Sequence, residues 1–137
     1  MRIAGYAALF DRMDRGGDTI RRGAFIRSLT AGHVLPLLWE HDPGAVIGRV
    51  DYLREDRRGL RMIATLDPGQ GALEGKMVRP GRGPVRGLSF GYRARRALAG
   101  PAPPGQRRRE LLDLDLVEVS LVTVPMMPGA MVHMIAA

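Results

Sequence analysis

The chain has 137 residues, 21 basic against 14 acidic side chains, a formal net charge of +7 and no cysteine. That length predicts one domain, residues 1–137, able to bury a real core, and the lack of thiols excludes disulfides and thiolate metal sites. No stretch has the length and apolarity of a membrane span or a signal-peptide core, so the sequence predicts a soluble intracellular protein with no membrane partner.

Arg2 to Phe10 reads as a strand, with Ile3, Tyr6 and Leu9 spaced by small residues, and Asp11 to Asp18 as an Asp/Gly turn. Phe25, Ile26 and Leu29 fall at helical spacing, which predicts a short helix ended by Gly32. Val34 to Trp39 is a short buried strand, followed by a turn at Asp42-Pro43-Gly44. Val46 to Leu53 and Leu60 to Leu66 form a hairpin across Arg57-Arg58-Gly59. Ala72, Leu73, Met77 and Val78 line one face of a second helix, stopped by Pro80-Gly81. Val85 to Ala94 is a strand with Leu88, Phe90 and Tyr92 on one face and Ser89 on the other. After a Pro/Gly loop from Leu98 to Gln106, a long strand runs from Arg109 to Val124 and ends at Pro125 and Pro128. The apolar tail from Ala130 adds an edge strand. The sum is an α+β chain rich in short strands, best buried as a small, mostly antiparallel β-barrel flanked by one to three helices.

The positive charge is carried almost wholly by arginine, Lys76 being the single lysine. The arginines are dispersed, as codon bias in a G+C-rich gene would leave them. The tightest run, Arg107-Arg108-Arg109, follows the Pro/Gly loop and reads as solvated. With 5% aromatic residues, all in apolar registers, stacking platforms for bases are scarce. Nucleic acid is therefore not expected as a partner, although a basic packaging module is the reading that the charge alone would suggest.

Three residues bear the chemistry. His41 ends the run Leu37-Leu38-Trp39-Glu40-His41; Ser89 lies in Gly87-Leu88-Ser89-Phe90-Gly91; Glu118 lies in Leu116-Val117-Glu118-Val119-Ser120-Leu121-Val122. A base, a nucleophile and an orienting acid are the parts of a serine hydrolase. The Gly-x-Ser-x-Gly string matches the nucleophile elbow of α/β-hydrolases, but the period-two pattern continues through Tyr92 instead of turning into a helix. The order His, Ser, acid is also wrong for that fold. The flanking glycines would let another backbone approach Ser89 closely. Strict alternation puts Glu118 on the same face as Leu112, Leu114 and Leu116, where a charge is costly unless paired; a bulge that rotates it outward, an arginine partner or an imidazolium would each resolve this. His33 and His133 have no comparable setting. No histidine spacing supports a metal site, and no cofactor is expected.

At these stretches the chain resembles the prohead proteases of tailed phages, the HK-ninety-seven-like capsid-maturation peptidases. The resemblance runs from Gly5-Tyr6-Ala7 and Phe10-Asp11, through Gly17-Asp18, Gly23-Ala24-Phe25, Leu37 to Asp42, Ile47-Gly48 and Gly87 to Tyr92, to Leu116 to Val122 and Pro125. It implies a fold like herpesvirus assemblin and a serine endopeptidase working in the host cytoplasm, inside the immature capsid. The substrates would be scaffold or the N-terminal segment of the major capsid protein, and the protease itself. It implies His41 and Ser89 as the catalytic pair. Assemblin uses a second histidine as third member; Glu118 occupies the comparable place, with Asp42, Asp113 and Asp115 as the other carboxylates able to take that role. Assemblin-type enzymes gain activity as homodimers, and the tail Met131 to Ala137 suits an interface, an edge strand or the core alike. Family members often carry a longer C-terminal segment that recruits them to the scaffold; so short a form would suit a phage-derived gene-transfer particle or reduced prophage. A catalytically inactive assembly factor of the same fold is the alternative.

Overall fold

The long strand β7 (Arg109–Val122) organises the molecule, because both of its edges are occupied along nearly its whole length. The structure is a computed structural model that describes residues 1–78 and 85–136. The remaining elements are β1 (Arg2–Leu9), β2 (Asp18–Ile20), α1 (Ile26–Thr30), β3 (Pro36–Trp39), β4 (Asp42–Glu55), β5 (Gly59–Leu66), α2 (Gly71–Val78), β6 (Gly87–Ala99) and β8 (Val132–Ala136). One edge of β7 pairs antiparallel with β6 from Gly87↔Val122 to Ala99↔Arg109. The other edge is shared: β2 runs parallel to it at Arg109 to Leu111, and β3 runs parallel to it at Val119 to Leu121. Between those two ladders the segment around α1 takes over. Leu114 N–H donates to the Ala24 carbonyl at 2.9 Å, and Leu116 N–H donates to Ser28 Oγ at 2.9 Å. The backbone polar groups of a central strand need partners, and here a short helix supplies them where neighbouring strands do not.

From β3 the sheet continues through β4, β5, β1 and β8, all antiparallel. Its eight strands do not close into a ring of continuous ladders. The β8 and β6 ends meet at the bridge Gly87↔Met131, where Leu88 N–H donates to the Ala130 carbonyl and Val132 N–H to the Arg86 carbonyl. The expected barrel is thus an open sheet whose ends touch. Two helices accompany it among the described residues.

Several boundaries differ from expectation. β2 lies where a turn was expected to end; its three residues lack a readable alternation and form a strand because β7 offers an edge. β4 begins at Asp42, so the turn sits at Glu40-His41, and Asp42-Pro43-Gly44 belongs to the strand. β6 continues to Ala99, into the stretch read as loop. The helix stop at Pro80-Gly81 lies outside the described residues.

The main core cluster contains Ile3, Phe25, Leu37, Leu60, Met62, Leu88, Leu114, Val119 and Leu121, and a smaller one joins Tyr6, Leu9, Met127 and Ala130. Phe25 is fully buried and meets Phe90 edge-on at 5.2 Å and Phe10 at 6.2 Å. Its N–H donates to the Glu55 carboxylate at 2.8 Å, which ties the start of α1 to β4. Truncating Phe25 to alanine removes the aromatic anchor that seats α1 against β7. Phe25→Ala is expected to cost about 3–5 kcal/mol, measured as a fall in the urea midpoint at unchanged slope.

Candidate active site

His41 is positioned by a strained turn. β3 and β4 close through Trp39↔Asp42, leaving Glu40 and His41 as the two central residues, both in left-handed backbone with φ of 51° and 60°.

 Positive φ at both central residues is the two-residue type I′ hairpin, which ordinarily takes Asn-Gly. For residues with a Cβ, each left-handed position costs about 1–2 kcal/mol, so the surroundings must hold the turn. They do so at three points, two on β7 and one just past its end. Glu40 N–H donates to the Leu121 carbonyl at 3.0 Å, the Glu40 carboxylate accepts from Thr123 N–H at 2.5 Å, and His41 N–H donates to Ser120 Oγ at 3.1 Å.

Glu118 reaches His41 because β7 bulges. Gly91 pairs with Glu118, but the next residue of β6, Tyr92, pairs with Leu116, which leaves Val117 as the extra residue. The bulge corrects the expectation from strict alternation. Leu116 and Val119 both belong to the core, whereas Glu118 shares the other face with Ser120 and with Ser89, the partner of Ser120. On that face the Glu118 carboxylate is buried and fully engaged. Its Oε1 lies 2.6 Å from His41 Nδ1, and its Oε2 accepts from Ser120 Oγ at 2.5 Å. Gly91 makes room for it, since a Cβ at that position would overlap Glu118 Oε1. The expected close approach beside Ser89 therefore involves a side chain at Gly91 and, at Gly87, the Val122 carbonyl.

The hydrogen bond to Glu118 raises the His41 pKa above its ordinary 6.5; partial burial opposes this, and the charges of Glu118 and Glu40 reinforce it. The three other carboxylates able to take the orienting role are occupied elsewhere. Asp42 caps Gly44 N–H, while Asp113 and Asp115 pair with Arg27, and Asp115 also with Arg95. His133 sits by Tyr6 and Arg61, and His33 borders a separate hollow near Leu35.

His41 and Ser89 line one cleft of about 590 Å³, with apolar walls that include Ile20, Val122 and Met127. Its floor holds a cluster that sequence reasoning left without a role. Asp18 is buried and accepts two hydrogen bonds from Arg109, each 3.0 Å, and one from Tyr92 Oη at 3.2 Å. Burial pushes its pKa up, but the bonds from Arg109 and Tyr92 outweigh it and hold the carboxyl below its usual value. Ser120 was missed as well. Its signal is the i, i+2 spacing from Glu118, which places both on one face of a strand.

A model of the caudovirus prohead serine proteases matches residues 1–137. The chain belongs to that family. The prohead protease of Enterobacteria phage HK97 is 28% identical over 123 residues, which cover 88% of this chain and 54% of that protein. This family member thus spans about half the length of that curated relative. Among solved structures, the capsid assembly protease of bacteriophage T4 superposes with a TM-score of 0.66 at 12% identity, over 88% of this chain and 80% of that one. The varicella-zoster virus protease gives 0.62 at 16% identity, over 96% and 62%. The herpesvirus-protease-like fold implied by the resemblance is the fold adopted.

The His41–Glu118 pair has a readout independent of turnover. In an NMR titration His41 is expected to have a midpoint above 6.5, and Glu118→Gln to lower it by removing the main cause of the rise. Because the folded pKa is raised, the pair stabilises the fold fully below pH 6.5 and loses that contribution as pH climbs through the folded midpoint. A His41 midpoint unchanged in Glu118→Gln would contradict the assignment.

Proposed function

We propose that this chain is a serine endopeptidase of head maturation, with Ser89 as nucleophile, His41 as general base and Glu118 as the orienting acid. The observation that carries the reading is that His41 bonds through Nδ1 to the buried Glu118 while lining the same cleft as Ser89. With Nδ1 committed to the carboxylate, Nε2 is the nitrogen left to accept the Ser89 proton. Ser89 Oγ attacks the scissile carbonyl, its proton passes to His41 Nε2, and the imidazolium is stabilised by Glu118. Collapse of the tetrahedral intermediate breaks the C–N bond, and His41 returns the proton to the leaving amine. Water then enters, gives a proton to His41 and releases the acid from the acyl-enzyme, regenerating Ser89. Ser120 is a positioning residue: its hydroxyl links the Glu118 carboxylate to the His41 backbone.

The substrates, by family membership and by the names of the HK97 and T4 relatives, are capsid or scaffold protein within the immature particle, with the protease itself as a further target. Residues 1–137 act as one protease domain, built on an open sheet whose ends touch at the Gly87–Met131 bridge. Among the described residues no helix is long and apolar enough to cross a membrane.

Co-expression with the cognate major capsid protein, followed by mass spectrometry of the capsid N-terminus, tests the reading. Wild type is expected to trim it and Ser89→Ala to leave it intact; trimming at an equal rate by Ser89→Ala would refute the nucleophile. With a peptide substrate, kcat/KM should fall as pH drops through the raised His41 midpoint, where the base becomes protonated. Glu118→Gln should reduce the rate by up to about 10⁴-fold and move that acid limb to lower pH.

A further inference from the structure

The cleft does not end at the catalytic pair. On one side His41 and Tyr92 also border a second hollow of about 420 Å³, walled by Val46 and Val117. On the other side Asp14, Arg15, Gly16 and Arg107 border both the Ser89 cleft and a third hollow of about 520 Å³. The cleft that holds His41 and Ser89 thus shares lining residues with each of the other two hollows, as a groove for an extended chain requires.

The two ends differ in charge. The His41 end is apolar, with Val46 and Val117 both about half exposed. At the far end Arg15, Arg107 and Arg108 share the lining with two carboxylates, Asp14 and Asp18. Both carboxylates are already engaged within the protein. Asp14 Oδ1 accepts from Gly16 N–H at 2.8 Å and Asp18 N–H at 2.9 Å, and Asp18 is held by Arg109 and Tyr92. Arg15 is bound to the chain as well, its Nε donating to the Pro125 carbonyl at 3.2 Å. Arg107 differs. Its side chain is 61% exposed, and its recorded ionic contact is a long one, 3.6 Å to an Asp18 oxygen that Arg109 also binds. A guanidinium so exposed, on the wall of the cleft that holds Ser89, keeps donors able to bind a carboxylate.

We propose that Arg107 is a specificity-determining residue, selecting substrates with an aspartate or glutamate side chain on the side of the scissile bond remote from the His41 hollow. The proposal rests on the peptidase reading above. The apolar walls near Ser89 accept uncharged side chains next to the bond, and the acidic side chain pairs with Arg107 further along. Charge repulsion from the same arginines disfavours lysine and arginine there.

The test is cleavage of a randomised decapeptide library by wild type, Arg107→Glu and Arg107→Lys, with the products sequenced by mass spectrometry and preferences compared within each protein. Wild type should enrich acidic over neutral residues by about two- to fivefold at one position, the yield of an ion pair with an exposed guanidinium. Arg107→Glu should abolish that enrichment and favour basic residues at the same position, while Arg107→Lys should keep the acidic preference in weaker form. An unchanged preference in Arg107→Glu overturns the role of Arg107 and leaves the peptidase reading intact. The absence of any Ser89-dependent cleavage overturns both. Loss of salt-sensitive duplex DNA binding in Arg107→Glu, with peptide preference unaltered, would assign the charge to nucleic acid and overturn the proposal.

Discussion

Everything at the site depends on one extra residue in β7. A strand of fourteen residues flanked on both edges would ordinarily show one face to the core throughout. Val117 interrupts that, so Leu114 and Leu116 before it and Val119 after it all reach the core, while Glu118 comes out on the face of Ser89. The bulge resolves the cost of a buried carboxylate in a specific way. Glu118 is out of solvent, yet both of its oxygens have partners, one on His41 and one on Ser120. The same stretch of β7 has its other edge met by Ser28 of the α1 segment, so the irregular ladder leaves Leu116 N–H satisfied.

The turn that carries His41 shows a matching economy. Two consecutive left-handed residues with side chains are unfavourable, and strain of this kind persists where neighbours over-determine it. Here the Thr123 and Leu121 backbones grip Glu40 and Ser120 grips His41, all from β7 or its end. One strand therefore fixes the base through its backbone and its imidazole together, and presents Glu118 at the Nδ1 side of the ring. Ser89 arrives from β6, whose register with β7 sets it opposite Ser120. Each member is held by a different strand, and β7 couples them.

Electrostatics divide the groove. Near Ser89 the charges are paired: His41 with Glu118, Asp18 with Arg109. Toward Arg107 arginine exceeds carboxylate, and the overall excess of basic residues, which composition leaves unassigned, acquires a local meaning there. Dispersed in sequence, Arg15 and Arg107 become neighbours because the turn before β2 and the loop before β7 are brought together by the parallel β2–β7 ladder.

Most of the secondary structure was legible in the sequence: β1, β3, the β4–β5 pair, α1, α2, β6 and β7 follow from apolar period and from Gly and Pro placement, although of the face expected for α2 only Met77 is buried and Val78 is exposed. So were His41, Ser89 and Glu118 as the residues worth joining, because their types and order are those of a serine hydrolase and the surrounding stretches resemble one family. What periodicity could not supply was anything set by a neighbouring strand. β2 exists because β7 has a free edge at Arg109 to Leu111. The turn moved to Glu40-His41 because contacts with β7 outweigh the intrinsic preference for Asp-Pro-Gly. The face of Glu118 was decided by a register shift against Gly91, which no count along one strand contains. By itself the sequence determined the elements and the candidate residues, since both are local properties of side chains. Only tertiary structure decided that Glu118 meets His41 and that Asp18, held by Arg109, borders the same cleft as Arg107, since those contacts depend on pairings between strands distant in the chain.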